Sequence, residues 1–343
     1  MSVVQNGRTI SATNAIPHGR AEMTALVNVA ILNGFGRAMG DAIVGLQALH
    51  VAILVGAMPP RPLLFRLPGL PGMVEAIHAA ADFADIKTLA WEFATPDRPL
   101  DPGEAVTRVI DIRDFAFDPE FQCRSMIDFF LQRLGVAPEQ VPAGWRRNSW
   151  LASRVRTIRP ALPSGYILVC PKASMRLRDM PEEIHAQILR RALALGPVVT
   201  QGTVPDALRR DVIHLEPCAT LADLCGVVRH ARWIISTDTG MVHLADAFGV
   251  GCLAFFPTHR PEWRVRDYPR TLSCELPTRL PRGIEFARDP GDYALARSGW
   301  FPCGDDLEWL DRAMDQARDC FGARERLENA VRREDQAANP VPP

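Results

Sequence analysis

Lysine is almost missing from this 343-residue chain: only Lys87 and Lys172 occur among 39 basic residues. That usage reflects genome composition more than function. The formal net charge of -1 supplies no bulk basic field, so strong non-specific binding to nucleic acid is not expected, though a local basic pocket is still compatible with it. The eight cysteines include no C-x-x-C pair, and several stand in apolar strand-like runs. Reduced, mostly buried thiols in a cytoplasmic protein and no zinc site are therefore expected. The N-terminus lacks an apolar core of signal-peptide length. The longest apolar stretch, AIVGLQALHVAILVGAM, is internal, short for a membrane span and interrupted by Gln47 and His50. It reads as a buried helix, with a strand at its end as the alternative.

What is present is the balance of a soluble globular protein, with 47% hydrophobic and 23% charged residues. The length favours two domains. From Ala25, short β-branched runs alternate with helical periodicity: ALVNVAIL, the helix at 41–50, PLLFRLP, GMVEAIHAAADF and RVIDIRDF. A helical segment, SMIDFFLQRLGV, follows, and then a Pro- and Arg-rich stretch at 138–163 that is the best linker candidate. Trp145 and Trp150 suggest that part of it packs. A second alternating series runs from YILVCP through PEEIHAQILRRALAL, PVVTQG, DVIHLE, ATLADLCGVVRHA, RWIIST and MVHLADAFG to CLAFFP. Strands alternating with helices imply parallel sheets covered on both faces. The resulting division is an N-terminal arm (1–22), a first Rossmann-like domain (23–155), a second (156–304), a closing helix (305–321) and a tail (322–343) whose end reads as disordered.

The stretch NGFGRAMGD after the first strand places glycines as a dinucleotide fingerprint does. Such a site also wants an acidic residue at the end of the second strand, and PLLFRLPGL ends without one. Asp41 would repel the anion that such a loop holds. It reads either as a cap or first-turn residue complementing the helix dipole, or as a carboxylate at the mouth of a cleft, free to take a proton. In the second half, Asp238-Thr239-Gly240 stands where a buried strand turns into a helix, with His243 one turn on. Backbone N–H groups, a hydroxyl and an imidazole can there converge on one anion.

The pattern D-T-G-x-x-H-L-A-x-A-x-G, followed by a strand and F-P-T, resembles the donor-site signature of glycosyltransferase family 9, the lipopolysaccharide heptosyltransferases. CPKASMRLRDMP is similar to the family's P-G-A-S segment, and RAMGDAIVGLQAL to its N-terminal motif, whose Asp is the proposed base. The resemblance covers residues 25 to about 270 in order. Lys172, Met180, Gln47 and FPTHRP depart from the family pattern, which bears on the donor's base and sugar more than on the fold.

The resemblance implies two doubly wound domains facing across a cleft, the GT-B arrangement. It implies inverting transfer of a sugar, a heptose among the candidates, from a nucleotide diphosphate sugar to a glycan or lipopolysaccharide-type acceptor hydroxyl. Asp41 would be the base, and Lys172, Ser174, Arg178, Asp238, Thr239, Gly240 and His243 the donor-binding set. Asp238 would cap the helix or hold sugar hydroxyls, and His243 reads as a structural helix histidine or a phosphate or nucleotide contact. His259, Arg260 and Trp263 follow the F-P-T loop, where they read as shaping the sugar or base pocket, with loop packing an equal account of Trp263, and are left out of the site. No D-x-D occurs, the arrangement that holds a divalent ion on the diphosphate in many transferases, so neither metal nor cofactor is expected. No nucleic-acid partner is expected, and peripheral association with the cytoplasmic face of the inner membrane is left open. The rival readings are a catalytically degenerate sugar-nucleotide binder, which should lack the base, and a dinucleotide enzyme.

Overall fold

The computed structural model describes residues 28–103, 106–304 and 306–322. The arm expected over 1–22 and the tail expected over 322–343, apart from Gly322, lie outside them. The first half begins with β1 (Val29–Asn33), α1 (Met39–Leu54), β2 (Leu63–Arg66), α2 (Gly72–Ala80) and β3 (Asp85–Thr88). It continues with β4 (Arg108–Asp111), α3 (Pro119–Cys123), α4 (Met126–Arg133) and α5 (Ser149–Arg154). Its four strands are all parallel in the order β3-β2-β1-β4. All five residues of β1 are buried, as a central parallel strand covered on both faces requires.

The second half contains β5 (Ile167–Cys170), α6 (Glu182–Leu193), β6 (Val198–Thr200), β7 (Val212–His214), α7 (Leu221–His230) and β8 (Trp233–Thr237). It then runs through α8 (Gly240–Ala247), β9 (Gly251–Phe256), α9 (Pro261–Arg264), β10 (Thr271–Glu275) and α10 (Pro290–Ser298). Six parallel strands lie in the order β10-β9-β8-β5-β6-β7. Both halves are doubly wound. Strand order reverses between β1 and β4 in the first sheet and between β5 and β8 in the second. Ligands of open α/β sheets bind in the crevice beyond the strand ends at such points, and Asp41 follows β1 while Lys172–Arg178 and Asp238 follow β5 and β8.

Several details differ from the sequence reading. The apolar stretch is helix to Leu54 with no strand at its end. The closing helix, expected over 305–321, begins at 308 and continues through 322, the last described residue; residue 306 before it is engaged in a bridge with Cys303. β3, β10 and α10 were not anticipated: β3 and β10 are edge strands with much exposed surface, so their residues lack the apolar run of a buried strand. The Pro- and Arg-rich stretch packs closely. Buried Gln47 on α1 donates Nε2 to the Trp145 carbonyl at 2.6 Å, and the Trp150 indole donates to the Ile43 carbonyl at 3.0 Å. A glutamine interrupting an apolar helix is thus a satisfied buried polar group that fastens the linker.

The turn after β1 carries four successive positive φ angles: Asn33 104°, Gly34 54°, Phe35 64° and Gly36 83°. Two are non-glycine residues in a costly region. The Asn33 side chain spans the turn, donating to the Ile112 carbonyl at 3.0 Å and accepting from the Gly36 N–H at 2.9 Å. Phe35 is fully buried, edge-on to Phe130 with centroids 5.2 Å apart, and lies against the bare face of Gly45. The glycines of this motif therefore serve a left-handed turn and close packing rather than a pyrophosphate. A Cβ on Gly45 would fall 2.1 Å from the Phe35 ring. Gly45→Ala should lower stability by about 1 to 3 kcal/mol, the scale of overpacking, measured as a drop in denaturation midpoint; an unchanged midpoint would show that Phe35 has room to move.

Candidate active site

The two halves meet helix end to helix end. The first turn of α1 abuts the first turn of α8, and two glycines permit it. A Cβ on Gly40 would lie 2.8 Å from Cδ2 of His243, and one on Gly240 would lie 2.5 Å from Cε of Met39. Neither helix has a side-chain cap: Ala38 and Thr239 occupy the N-cap positions without side-chain hydrogen bonds. Each N-terminus carries roughly half a positive charge, so two such ends converge on one place.

Around that place stand three carboxylates and three basic side chains. Asp238 Oδ2 lies 3.0 Å from His259 Nδ1 and 3.5 Å from Arg178 Nη1. Glu285 lies 3.2 Å from His259 Nε2, 3.6 Å from Arg178 Nη1 and 3.5 Å from Arg264 Nη2. Burial pushes both carboxyls upward, but their partners outweigh it. Arg178 and His259 hold Asp238 well below the usual carboxylate range, and His259 and Arg178 hold Glu285 down to about 2. Asp41 differs. Half-buried in the first turn of α1, it is raised to about 7 by desolvation and by the charge of Glu285, with Arg264 and Arg178 pulling the other way.

The residues singled out in the sequence are placed as follows. Asp41 is a first-turn residue and not a side-chain cap. Asp238 does not cap α8 either; its carboxylate is committed to His259 and Arg178. Arg178 also donates Nη2 to Ser174 Oγ at 3.0 Å. Lys172 is exposed and pairs with Asp179 at 3.2 Å, while Asp179 accepts from the Ala173 N–H at 2.9 Å and so shapes the loop after β5. Thr239 and Gly240 are half-exposed at the free end of α8. His243 is buried, with Nδ1 2.7 Å from the Tyr268 hydroxyl, and burial lowers it to about 4, so it is neutral near pH 7.

The sequence leaves His259 out of the site and gives Arg264 and Glu285 no role. His259 has no exposed surface and joins two carboxylates, whereas Arg260 and Trp263 beside it make a surface cation–π contact, 5.7 Å from guanidinium to ring centroid, and Arg260 pairs with Glu262 at 3.7 Å. Arg264 lies 5.5 Å from the centroid of Phe121, across the domain boundary. Glu285 sits in a proline-rich loop with no local pattern to mark it. Among the described residues, no group of three or more His, Cys, Asp or Glu is arranged to hold a metal ion.

No protein-family model matches the sequence, and no curated protein matches it. Solved structures do. The chain is similar to the dodecameric, iron-containing heptosyltransferase TibC in complex with ADP-D-beta-D-heptose: 13% identity, 86% of this chain and 77% of that chain covered, TM-score 0.59. It is also similar to the E. coli ADP-heptose lipopolysaccharide heptosyltransferase II, with 11% identity, 84% and 99% covered and a TM-score of 0.53. The chain has the fold of these enzymes, two Rossmann-like domains in the GT-B arrangement.

A carboxyl raised to about 7 has a thermodynamic signature. Between about pH 4 and pH 7 the folded protein keeps a proton that the unfolded chain has released, so this group's contribution to stability falls as pH rises through that window. Asp41→Asn should flatten that fall and leave the variant the more stable protein at pH 8, by thermal denaturation across pH 4 to 8. Parallel curves for variant and parent would mean that Asp41 titrates in the ordinary range.

Proposed function

We propose that the protein is an inverting glycosyltransferase that moves a sugar from a nucleotide diphosphate sugar to the hydroxyl of a glycan or glycolipid. The observation that carries this reading is Asp41, a carboxyl raised to about 7, in the first turn of α1, which abuts the uncapped N-terminus of α8 where the two domains meet. A general base works best with a pKa near the operating pH. Asp41 takes the acceptor's hydroxyl proton as the acceptor oxygen bonds to the anomeric carbon. The bond from that carbon to the diphosphate oxygen breaks on the opposite face. Charge then develops on the leaving diphosphate, and the free N–H groups at Thr239 and Gly240, with Ser174, Arg178 and Lys172 in the adjacent loop, are the groups available to receive it. Each such donor is typically worth about 3 to 4 kcal/mol in the transition state.

His243 is neutral and held by Tyr268, which suits it to donate a hydrogen bond rather than to carry charge. Arg178 and the helix end supply the positive potential that a divalent ion supplies in D-x-D enzymes, so the same proposal has the reaction run without added metal. The heptosyltransferases of similar fold make ADP-heptose the first donor to test. Among the described residues, no helix is long and apolar enough to cross a membrane. A cytoplasmic site of action, at the membrane face where glycolipid acceptors are assembled, belongs to the proposal.

The test is transfer from ADP-heptose by protein treated with EDTA. Asp41→Asn should lose roughly 100- to 10,000-fold in turnover, and the parent's kcat/KM for donor should rise with pH through about 7, because the ionised form is the base. Turnover that vanishes with EDTA and returns with a divalent metal would remove the metal-independent part, and a fully active Asn variant would move the base elsewhere.

Donor binding is separable from transfer. Arg178→Ala should weaken ADP binding by roughly 1.5 to 3 kcal/mol, the scale of a hydrogen bond to a charged group. Arg178→Lys keeps the charge without the fork and should fall between. Calorimetry showing equal affinities in all three would take Arg178 out of the donor site.

A further inference from the structure

The proposed reaction leaves one constructed surface of the first domain without a role. Trp91 stands three residues past β3, on the carboxyl edge of the sheet, and its side chain is not part of any core: the residue is 67% exposed. It is nevertheless held in place. The indole lies on Gly69, where a Cβ would come 2.9 Å from Trp91 Cζ2, and Gly69 has a φ of +61°. Arg37, in the turn that leads to Asp41, donates Nη2 to the Gly69 carbonyl at 2.8 Å. A Cβ on Gly36, the residue before Arg37, would lie 3.3 Å from Oδ2 of Asp41. A continuous path thus joins the exposed indole to the candidate base.

The chain that follows Trp91 is fixed from below. Arg113, buried just past β4, donates Nη1 to the carbonyls of Phe93, Thr95 and Arg98 at 2.8, 2.6 and 2.9 Å, and binds Asp111 through Nε and Nη2. A buried guanidinium is costly unless its donors are matched, and here the two Nη1 hydrogens are shared among three carbonyls of one short loop. Phe117, in the loop after β4, is 79% exposed. In the sheet order β3-β2-β1-β4, the turn bearing Asp41 falls between the loops of Trp91 and Phe117.

We propose that Trp91 is the acceptor platform, and that the acceptor is a carbohydrate whose apolar C–H face lies on the indole with one hydroxyl turned toward Asp41. This rests on the transferase reading and its glycan acceptor, and names the residue that positions that second substrate. The surroundings favour a sugar. Ala90 and Glu92 beside the indole are exposed, and the 95–99 loop beyond them, Thr-Pro-Asp-Arg-Pro, is mostly polar, so the described residues that flank the indole in sequence form no apolar run of the kind a protein or membrane partner requires. A single flat ring in a polar frame matches a ligand that has both an apolar face and a rim of hydroxyls.

The probe is an array of oligosaccharides from bacterial lipopolysaccharide cores and O-antigens, read with the full-length protein saturated with ADP. A subset should bind. Trp91→Ala should weaken those signals at least tenfold, Trp91→Phe should retain most of them, and ADP affinity by calorimetry should be the same in all three proteins. Equal saccharide binding by Trp91→Ala overturns the proposal, as does a parent protein that binds ADP but no saccharide. A parent that binds no nucleoside diphosphate fails the transferase reading itself and takes the platform with it.

Discussion

The structure depends on two helix N-termini being driven together. α1 of the first domain and α8 of the second meet at their first turns, and only glycine at positions 40 and 240 lets His243 and Met39 approach so closely. Two like dipole ends repel, so the contact has to be held by other means. An apolar cluster runs without a break from the first domain through α1 and α8 into the second. Polar bonds hold it as well: buried Asp246 on α8 receives the Arg147 guanidinium at 3.0 Å and the Asn148 N–H at 2.8 Å, both from the segment leading into α5. The cleft is therefore a place where positive potential is fixed in the backbone before any ligand arrives.

That arrangement accounts for the contrast among the three carboxylates. Asp238 and Glu285 each face cationic or donor partners and stay ionised. Arg178 and Arg264 are engaged by those two, so Asp41 meets only their residual field while it suffers desolvation and the charge of Glu285. One cluster thus separates structural anions from a carboxyl that can gain and lose a proton near neutrality, and separated pKa values are the means by which a site divides such roles.

Much of this was legible in the sequence and some was not. Buried parallel strands announce themselves as apolar runs, so β1, β5, β8 and β9 are plain, and Asp41 and Asp238 follow as residues at their carboxyl ends. β3 and β10 are not plain, because an edge strand half in solvent has no such run. The glycine motif after β1 suggested a phosphate loop and proves to be a left-handed turn around Phe35, a difference that only the packing against Gly45 discloses. Glu285 is separated from Asp238 by nearly fifty residues, and nothing local marks it. His259 stands in the F-P-T-H-R-P stretch, yet its role comes from the two carboxylates that it joins across the chain. Buried charge networks are set by tertiary neighbours, which periodicity and spacing do not encode.

The orientation of His243 illustrates how far such neighbours reach. The Asn148 side-chain N–H donates to the Tyr268 hydroxyl at 2.6 Å and faces Asp246 Oδ2 at 3.2 Å. The hydroxyl therefore accepts from Asn148, and among the described residues the acceptor placed for its proton is His243 Nδ1, at 2.7 Å. With Nδ1 accepting, the neutral ring carries its proton on Nε2, the edge that rests against Gly40 at the joint of the two helices. A hydrogen-bond donor is thereby presented at the seam by a chain of residues that begins at the domain linker. The linker that fastens the halves together also sets the tautomer of the imidazole between them, so the closure of the cleft and the polarity of its floor rest on the same bonds.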